Sequence, residues 1–414
     1  MNFKLINRFL IAFLLTVFFA GCDLSNNGDD EDPQPTDEYL LTYEEHVSYS
    51  SLIIKALIEN FLPAYPELGD ILNDIEHGVT VYKITYTTTF NDEEVVASGL
   101  VSVPVTQGIK FPILSFQNGT NSLHSEAPSV KPDSEFYLLL EFLASTGFVV
   151  SIPDYLGFGA SDQMFHPYLD KESTVQTVID MTRAVKELIN NHLDTEISDD
   201  LYINGYSQGG WATMQLQKEI EEKYSSEFNL VASACGAGPY DLNYINSYIL
   251  QQTTYPEPYF VGYIYNSYIQ LGSITNPASD VFNSPYNERI MSLYDGTLSG
   301  DEINAQLTTS VAGLFTADYI QNYTNEKYSS VTTSLISNSI EAWKTVTPTM
   351  IIHGTDDSFV PTKVSENIYL DFRAKGVTSD QITYVSIPDA DHESAIIPAE
   401  SAALKWFIEL KNGE

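Results

Sequence analysis

Basic residues are scarce in this chain: 19 Lys and Arg stand against 56 Asp and Glu, a formal charge of −37 at pH 7. A nucleic-acid backbone is held by clustered Lys and Arg, so this imbalance excludes nucleic-acid binding. Cysteine is scarcer still, with only Cys22 and Cys235 in 414 residues. A disulfide framework is therefore excluded, and stability has to come from burying a core, for which the chain is long enough. Groups of His, Cys and Asp at metal-ligand spacing are also missing, so no metal or other cofactor is expected. Charged residues make up 18% and hydrophobic ones 43%, the balance of a globular chain rather than a disordered one. No internal repeat is present.

Long apolar runs are absent except at the start. The stretch MNFKLINRFLIAFLLTVFFAGC carries Lys4 and Arg8, then an apolar run from Phe9 to Ala20, then small residues. It reads as a secretory signal, too short for a spanning helix. Its end, Phe19-Ala20-Gly21-Cys22, resembles the lipobox of bacterial lipoproteins. That resemblance implies removal of residues 1–21 and a lipid attached to Cys22, hence an exported, membrane-anchored lipoprotein. Cys235, in the apolar run NLVASACGAG, is then the one remaining thiol and is expected in the core. Residues 22–40 are polar, acidic and Pro-containing, and are expected to form a flexible tether. The cluster Asp29, Asp30, Glu31 and Asp32 resembles the export signals of Gram-negative surface lipoproteins, which points to the outer membrane or cell surface.

From about Val79 the pattern alternates strands and helices. VTVYKITYTTTF and EVVASGLVSVPV predict an antiparallel pair around a short turn. Six short apolar runs follow, FPILSF, GFVVSIP, DLYINGY, NLVASACGA, TPTMIIHG and ITYVSIP. Their near-continuous hydrophobicity is that of strands buried on both faces of a parallel sheet. Helical stretches lie between them, the clearest being STVQTVIDMTRAVKELINNHL. The rhythm breaks over residues 240–344, which hold 13 of the 27 tyrosines. Runs such as EPYFVGYIYNSYIQLG look helical there, and the segment is expected to form a helical cap lining an apolar pocket. The core is then residues 41–239 and 345–414.

Chemistry is concentrated in a few loops. INGYSQGGWATMQL sets Ser207 among glycines between a strand and a helix, the Gly-x-Ser-x-Gly arrangement that forces a serine into a strained, exposed turn. A serine hydroxyl needs a base, and the base a carboxylate. The expected chain order is Ser, acid, His, and only His353 and His392 lie downstream. His392, in SIPDADHES after the last strand, is the expected base; His353, at a strand tip, is expected to support a turn. HGTDDSFVP resembles an acid loop that places the carboxylate at Asp357, leaving Asp356 as a turn residue and Asp389 and Asp391 as lesser candidates. Oxyanion donors are expected from the amides of Gln208 and Thr120, the latter in SFQNGTNS, where Asn118 and Gly119 shape the turn.

These motifs and their order resemble the α/β-hydrolase superfamily: a mostly parallel sheet flanked by helices, with a cap inserted between nucleophile and acid. APS (Ala127 to Ser129), PDYLGFGASD from Pro153, HPY ending at Tyr168, GYSQGG and GPYDL look more narrowly like secretory lipases of the fungal lipase A type and their bacterial relatives. The resemblance implies hydrolysis of a small-molecule carboxylic ester through an acyl-enzyme, with uncharged, apolar or aromatic substrates suggested by the aromatic insert. Two other readings stay open. A serine aminopeptidase or prolyl-type peptidase uses the same triad and needs an acidic anchor such as Glu257 or Glu302. A non-catalytic binding lipoprotein on an old hydrolase scaffold fits the chain less well, because the set of Ser, Asp, His and donor loop is complete.

Overall fold

The computed structural model describes residues 36–413. The signal segment 1–21, Cys22 and the tether as far as residue 35 lie outside the described residues. Nine strands form one sheet in the order β1-β2-β3-β5-β4-β6-β7-β8-β9. They are β1 (Leu40–Tyr49), β2 (Gly78–Phe90), β3 (Glu93–Val105), β4 (Lys110–Gln117), β5 (Val149–Pro153), β6 (Glu196–Tyr206), β7 (Asn229–Gly236), β8 (Thr349–Gly354) and β9 (Ile382–Ile387).

β2 and β3 pair antiparallel, as their alternation predicts. Asn91 and Asp92 make the turn, both at positive φ (53° and 63°). That hand matches the twist of the two strands, and Asn and Asp tolerate it better than most residues. β1 adds to the outer edge of β2 and gave no signal in the sequence. Only Leu40 of its ten residues is buried, so neither alternation nor an apolar run marks it. The end of the stretch read as a tether is also held. Glu187 accepts the amides of Glu38, Tyr39 and Leu40 at 2.7–2.9 Å, and Asp37 bonds Asn191 and His192.

From β5 to β9 the strands run parallel, and helices make the crossovers. Asp170 caps the helix Lys171–His192 through the Ser173 amide, and Val175, Val178, Ile179, Met181, Ala184 and Val185 are buried along it. β4 and β5 are buried along nearly their whole length, which is why they read as unbroken apolar runs. Cys235 on β7 is fully buried, and burial pushes its thiol up to about 12. It is a core residue and no nucleophile at neutral pH.

Between β7 and β8 the chain leaves the sheet. The longer helices there are Leu242–Leu250, Pro258–Gln270 and Ser329–Ser337, joined by one- and two-turn pieces. Their buried residues join Trp211 and Met214 of the helix after Ser207 in one apolar cluster. Among the described residues no helix is long and apolar enough to cross a membrane.

Candidate active site

β6 ends at Tyr206 and a helix begins at Gln208. Ser207 between them has φ 59° and ψ −121°, a conformation that costs a non-glycine residue about 1–3 kcal/mol. Neighbouring backbone holds it there: its amide donates to the Gly236 carbonyl at 2.8 Å, and its carbonyl accepts from Trp211 at 3.1 Å. The glycines explain how the strands come so close. A side chain at Gly205 or Gly209 would meet the Gln117 carbonyl, and one at Gly210 the Gly236 carbonyl. Ser207 therefore sits in a turn that only glycine neighbours permit.

The side chains converge at the C-terminal ends of three strands. His392 Nε2 lies 2.9 Å from Ser207 Oγ, and its Nδ1 lies 2.6 Å from Asp357 Oδ2. Asp357 Oδ1 accepts the amides of Phe359 and Val360, both at 2.9 Å. Asp357 is buried whereas Asp356 is exposed, and Asp391 turns back to cap Ser394. Burial alone would raise the Asp357 pKa. The hydrogen bonds from His353 and His392 outweigh it, holding the carboxyl well below the usual range.

His353 does more than support a turn. Its Nε2 faces only acceptors, Asp357 Oδ2 at 2.9 Å and the Val360 carbonyl at 3.1 Å, so this nitrogen carries the hydrogen. In the neutral ring Nδ1 then accepts the Ser365 hydroxyl at 2.6 Å. Two imidazoles thus donate to one carboxylate oxygen. Sequence offered His353 only as the weaker of two bases, because a side chain's partner four residues away is set by the loop's curl.

Gln208 is the first residue of the helix, so its amide has no carbonyl partner within the helix and stands in the positive end of the helix dipole. Its side chain bonds His166 at 3.0 Å. Thr120 borders the same cleft as Ser207. Its hydroxyl is engaged with the Tyr168 hydroxyl at 2.9 Å. Asn118 shapes the loop by donating to the Pro153 carbonyl and accepting from Tyr155. The motif residues of APS and PDYLGFGASD meet too: Asp154 accepts the Ser129 amide at 2.8 Å and the hydroxyls of Ser98 and Ser129.

Two cavities open at Ser207. One runs into the segment between β7 and β8 and is lined by apolar residues including Ile245, Phe282, Phe315, Val331 and Phe359. The other is bordered by His392, Tyr206, Glu257, Asp301 and Glu393. Glu257 therefore faces the site. Burial raises its pKa, with Asp301 and Glu393 adding to the rise, while Asn304 donates to it. Glu302 does not reach the site; it is exposed and closes a capping box with Ser299. Among the described residues no group of three His, Cys, Asp or Glu is placed to hold a metal ion.

Sheet order, crossover helices and the turn at Ser207 are those of the α/β-hydrolase fold. A candidate hydrolase from Legionella pneumophila is 27% identical with a TM-score of 0.79, covering 90% of this chain and 98% of that one. The rice cell wall degrading esterase LipA from Xanthomonas oryzae is 25% identical with a TM-score of 0.74, covering 91% and 98%. Candida antarctica lipase A in its closed state shares the fold, at 15% identity, a TM-score of 0.63 and coverage of 89% and 82%. No curated protein matches the chain. Residues 122–414 match the secretory lipase family, and the chain belongs to it. It is accordingly an ester hydrolase, and the family points to export.

Proposed function

We propose that the chain is a membrane-anchored serine carboxylester hydrolase acting through an acyl-enzyme. The observation that carries this reading is the unbroken path from Ser207 Oγ to His392 Nε2 (2.9 Å) and from His392 Nδ1 to Asp357 (2.6 Å). As Ser207 Oγ attacks the ester carbonyl, His392 takes its proton, and the imidazolium is steadied by the ionised Asp357. The tetrahedral oxyanion lies against the amides of Gln208 and Thr120. His392 then returns the proton to the departing alcohol, the acyl group stays on Ser207, and water deprotonated by the same histidine releases the acid.

The apolar cavity supports an uncharged, apolar or aromatic acyl group, since its wall of aliphatic and aromatic side chains gives such a group contact and offers a charge no partner. Residues 240–344 serve as the cap, 41–239 and 345–414 as the hydrolase core, 1–21 as the signal and Cys22 as the lipid site. Glu257 at the other opening keeps a second reading in play, an amine-bearing peptide substrate, because a carboxylate there suits an ammonium group.

The deciding experiment is turnover of p-nitrophenyl esters from acetate to palmitate beside aminoacyl p-nitroanilides, with Ser207→Ala in parallel. Ester turnover that falls at least ~10⁴-fold in the variant is expected. Anilide turnover exceeding ester turnover would transfer the assignment to the peptidase, and undiminished activity in the variant would refute the serine mechanism.

A further inference from the structure

We infer that the segment His166-Pro167-Tyr168 positions both oxyanion donors at once, His166 through Gln208 and Tyr168 through Thr120. The inference rests on the serine mechanism proposed above, which makes those two amides the oxyanion hole. The two donors come from separate parts of the chain, the loop after β4 and the turn after β6. Each bonds a different side chain of this one tripeptide, at 2.9 Å for Thr120 and 3.0 Å for Gln208.

The chemistry of His166 fixes the direction of its bond. Its Nδ1 faces the Leu156 carbonyl at 2.7 Å and must carry the hydrogen. Burial pushes its pKa down to about 4, so the ring is neutral and Nε2 is left as an acceptor for the Gln208 side-chain N–H. The turn of Gln208 is thereby tied to the Leu156 carbonyl through a rigid ring. That ring is in turn boxed by Tyr155, Phe158, Tyr168 and Tyr263, with centroids 5.0–6.0 Å away. Gly157 leaves the room, since a side chain there would strike the His166 backbone.

Tyr168 is fixed as firmly. Its ring stacks on Tyr263 at 4.4 Å and 14°, and Tyr263 stacks on Tyr294 at 4.7 Å. With the ring plane set, its hydroxyl holds the Thr120 hydroxyl and with it the residue whose amide faces the oxyanion. Geometry of this kind matters because an oxyanion donor acts only when aimed at the developing charge; removing one outright costs about 10²–10³ in kcat. Loosening its support is expected to cost less, about 10-fold.

The test compares His166→Phe, which keeps a ring in the aromatic box and removes both hydrogen bonds, with Tyr168→Phe, which removes one hydroxyl. Tyr328→Phe is the control, because that hydroxyl bonds Asp318 and the Asp280 carbonyl and Tyr328 lines neither cavity at Ser207. Rates are normalised to serine titrated to completion with a fluorophosphonate, so that unfolded protein drops out. Each of the two variants is expected to lose about 10-fold in kcat with KM within about 3-fold. Affinity for an alkyl trifluoromethyl ketone, whose adduct on Ser207 carries the oxyanion, should weaken in proportion to kcat/KM. The control should change none of these. An unchanged kcat, a rise in KM alone, or a fall in kcat with unaltered ketone affinity would overturn the inference while leaving the serine mechanism standing. Full activity of Ser207→Ala would overturn both.

Discussion

The sheet and the segment between β7 and β8 bury their aromatic and apolar groups in different ways. Strands β4 to β8 bury aliphatic side chains on both faces and satisfy their backbone through the ladder. The inserted segment has short helices and many turns, which leave carbonyls without ladder partners. Tyrosine hydroxyls fill that need and tie the insert to the rest: Tyr265 donates to the Asn276 carbonyl and Tyr294 to Tyr259 within it, Tyr268 to Leu169 and Tyr255 to Phe359 outside it. Each ring supplies apolar area while its tip satisfies a loop. The difference also divides the labour at the site. The proposed reacting groups stand at the ends of β6, β8 and β9, where a rigid sheet aims them, and the insert supplies the apolar wall beside them.

If that division holds, changes beside the sheet should strike the chemistry, and changes in the insert the choice of substrate. Gly209→Ala is expected to have the largest effect after loss of Ser207 itself. Its methyl would collide with the Gln117 and Asn118 carbonyls, so kcat should fall at least ~10²-fold and the melting temperature with it. An active, equally stable variant in a thermal melt and ester assay would show that the turn has more room than the structure gives it.

His353→Ala comes next. It removes one of four donors from Asp357 and leaves the His392 bond in place, so a loss of about 10–100-fold in kcat with little change in KM is expected. Ester kinetics would count against a role in holding the acid if the loss appeared in KM alone. A change in the insert, Val331→Phe, should act on the other side of the division. Val331 is buried and lines the apolar cavity; the longest ester turned over should lose about 10-fold or more in kcat/KM, while acetate stays within about 3-fold. An equal loss on both esters would break the division.

The smallest effect concerns Glu141, far from the chemistry. It is fully buried, and neither carboxylate oxygen has a partner. Burial first, then the Asp133 charge, pushes its pKa up to about 8. The folded state thus keeps a proton that the unfolded chain loses near pH 4.3–4.5, so its contribution to stability is fully present below that pH and is lost as pH rises through about 8. Glu141→Gln should raise the melting temperature at pH 8 by roughly 2–5 °C and leave it nearly unchanged at pH 4. Melts that shift equally at both pH values would discount the buried proton.

Much of this was legible along the chain. The parallel strands were, because burial on both faces leaves a local signature of four to eight apolar residues. So were the residues of the candidate site, Ser207, Asp357 and His392, because a strained turn needs glycine neighbours and the loops of Asp357 and His392 carry their own short patterns. β1 was not, since a strand with one buried residue has no periodic signal. Nor were the bonds of His353 to Asp357, His166 to Gln208 and Tyr168 to Thr120.

By itself, then, the sequence determined the class of the sheet, the chain order of the candidate serine, carboxylate and histidine, and the break in strand rhythm between β7 and β8. Those properties are sums of local preferences: apolar periodicity, glycine at a crowded turn, polar residues at loops. Only the tertiary structure decided that His392 meets Ser207 across 185 positions of chain, that His353 shares the same carboxylate oxygen, and that His166 and Tyr168 reach Gln208 and Thr120. Such contacts are set by crossover geometry and by which rings fill a common space, and neither leaves a trace in any short window of residues.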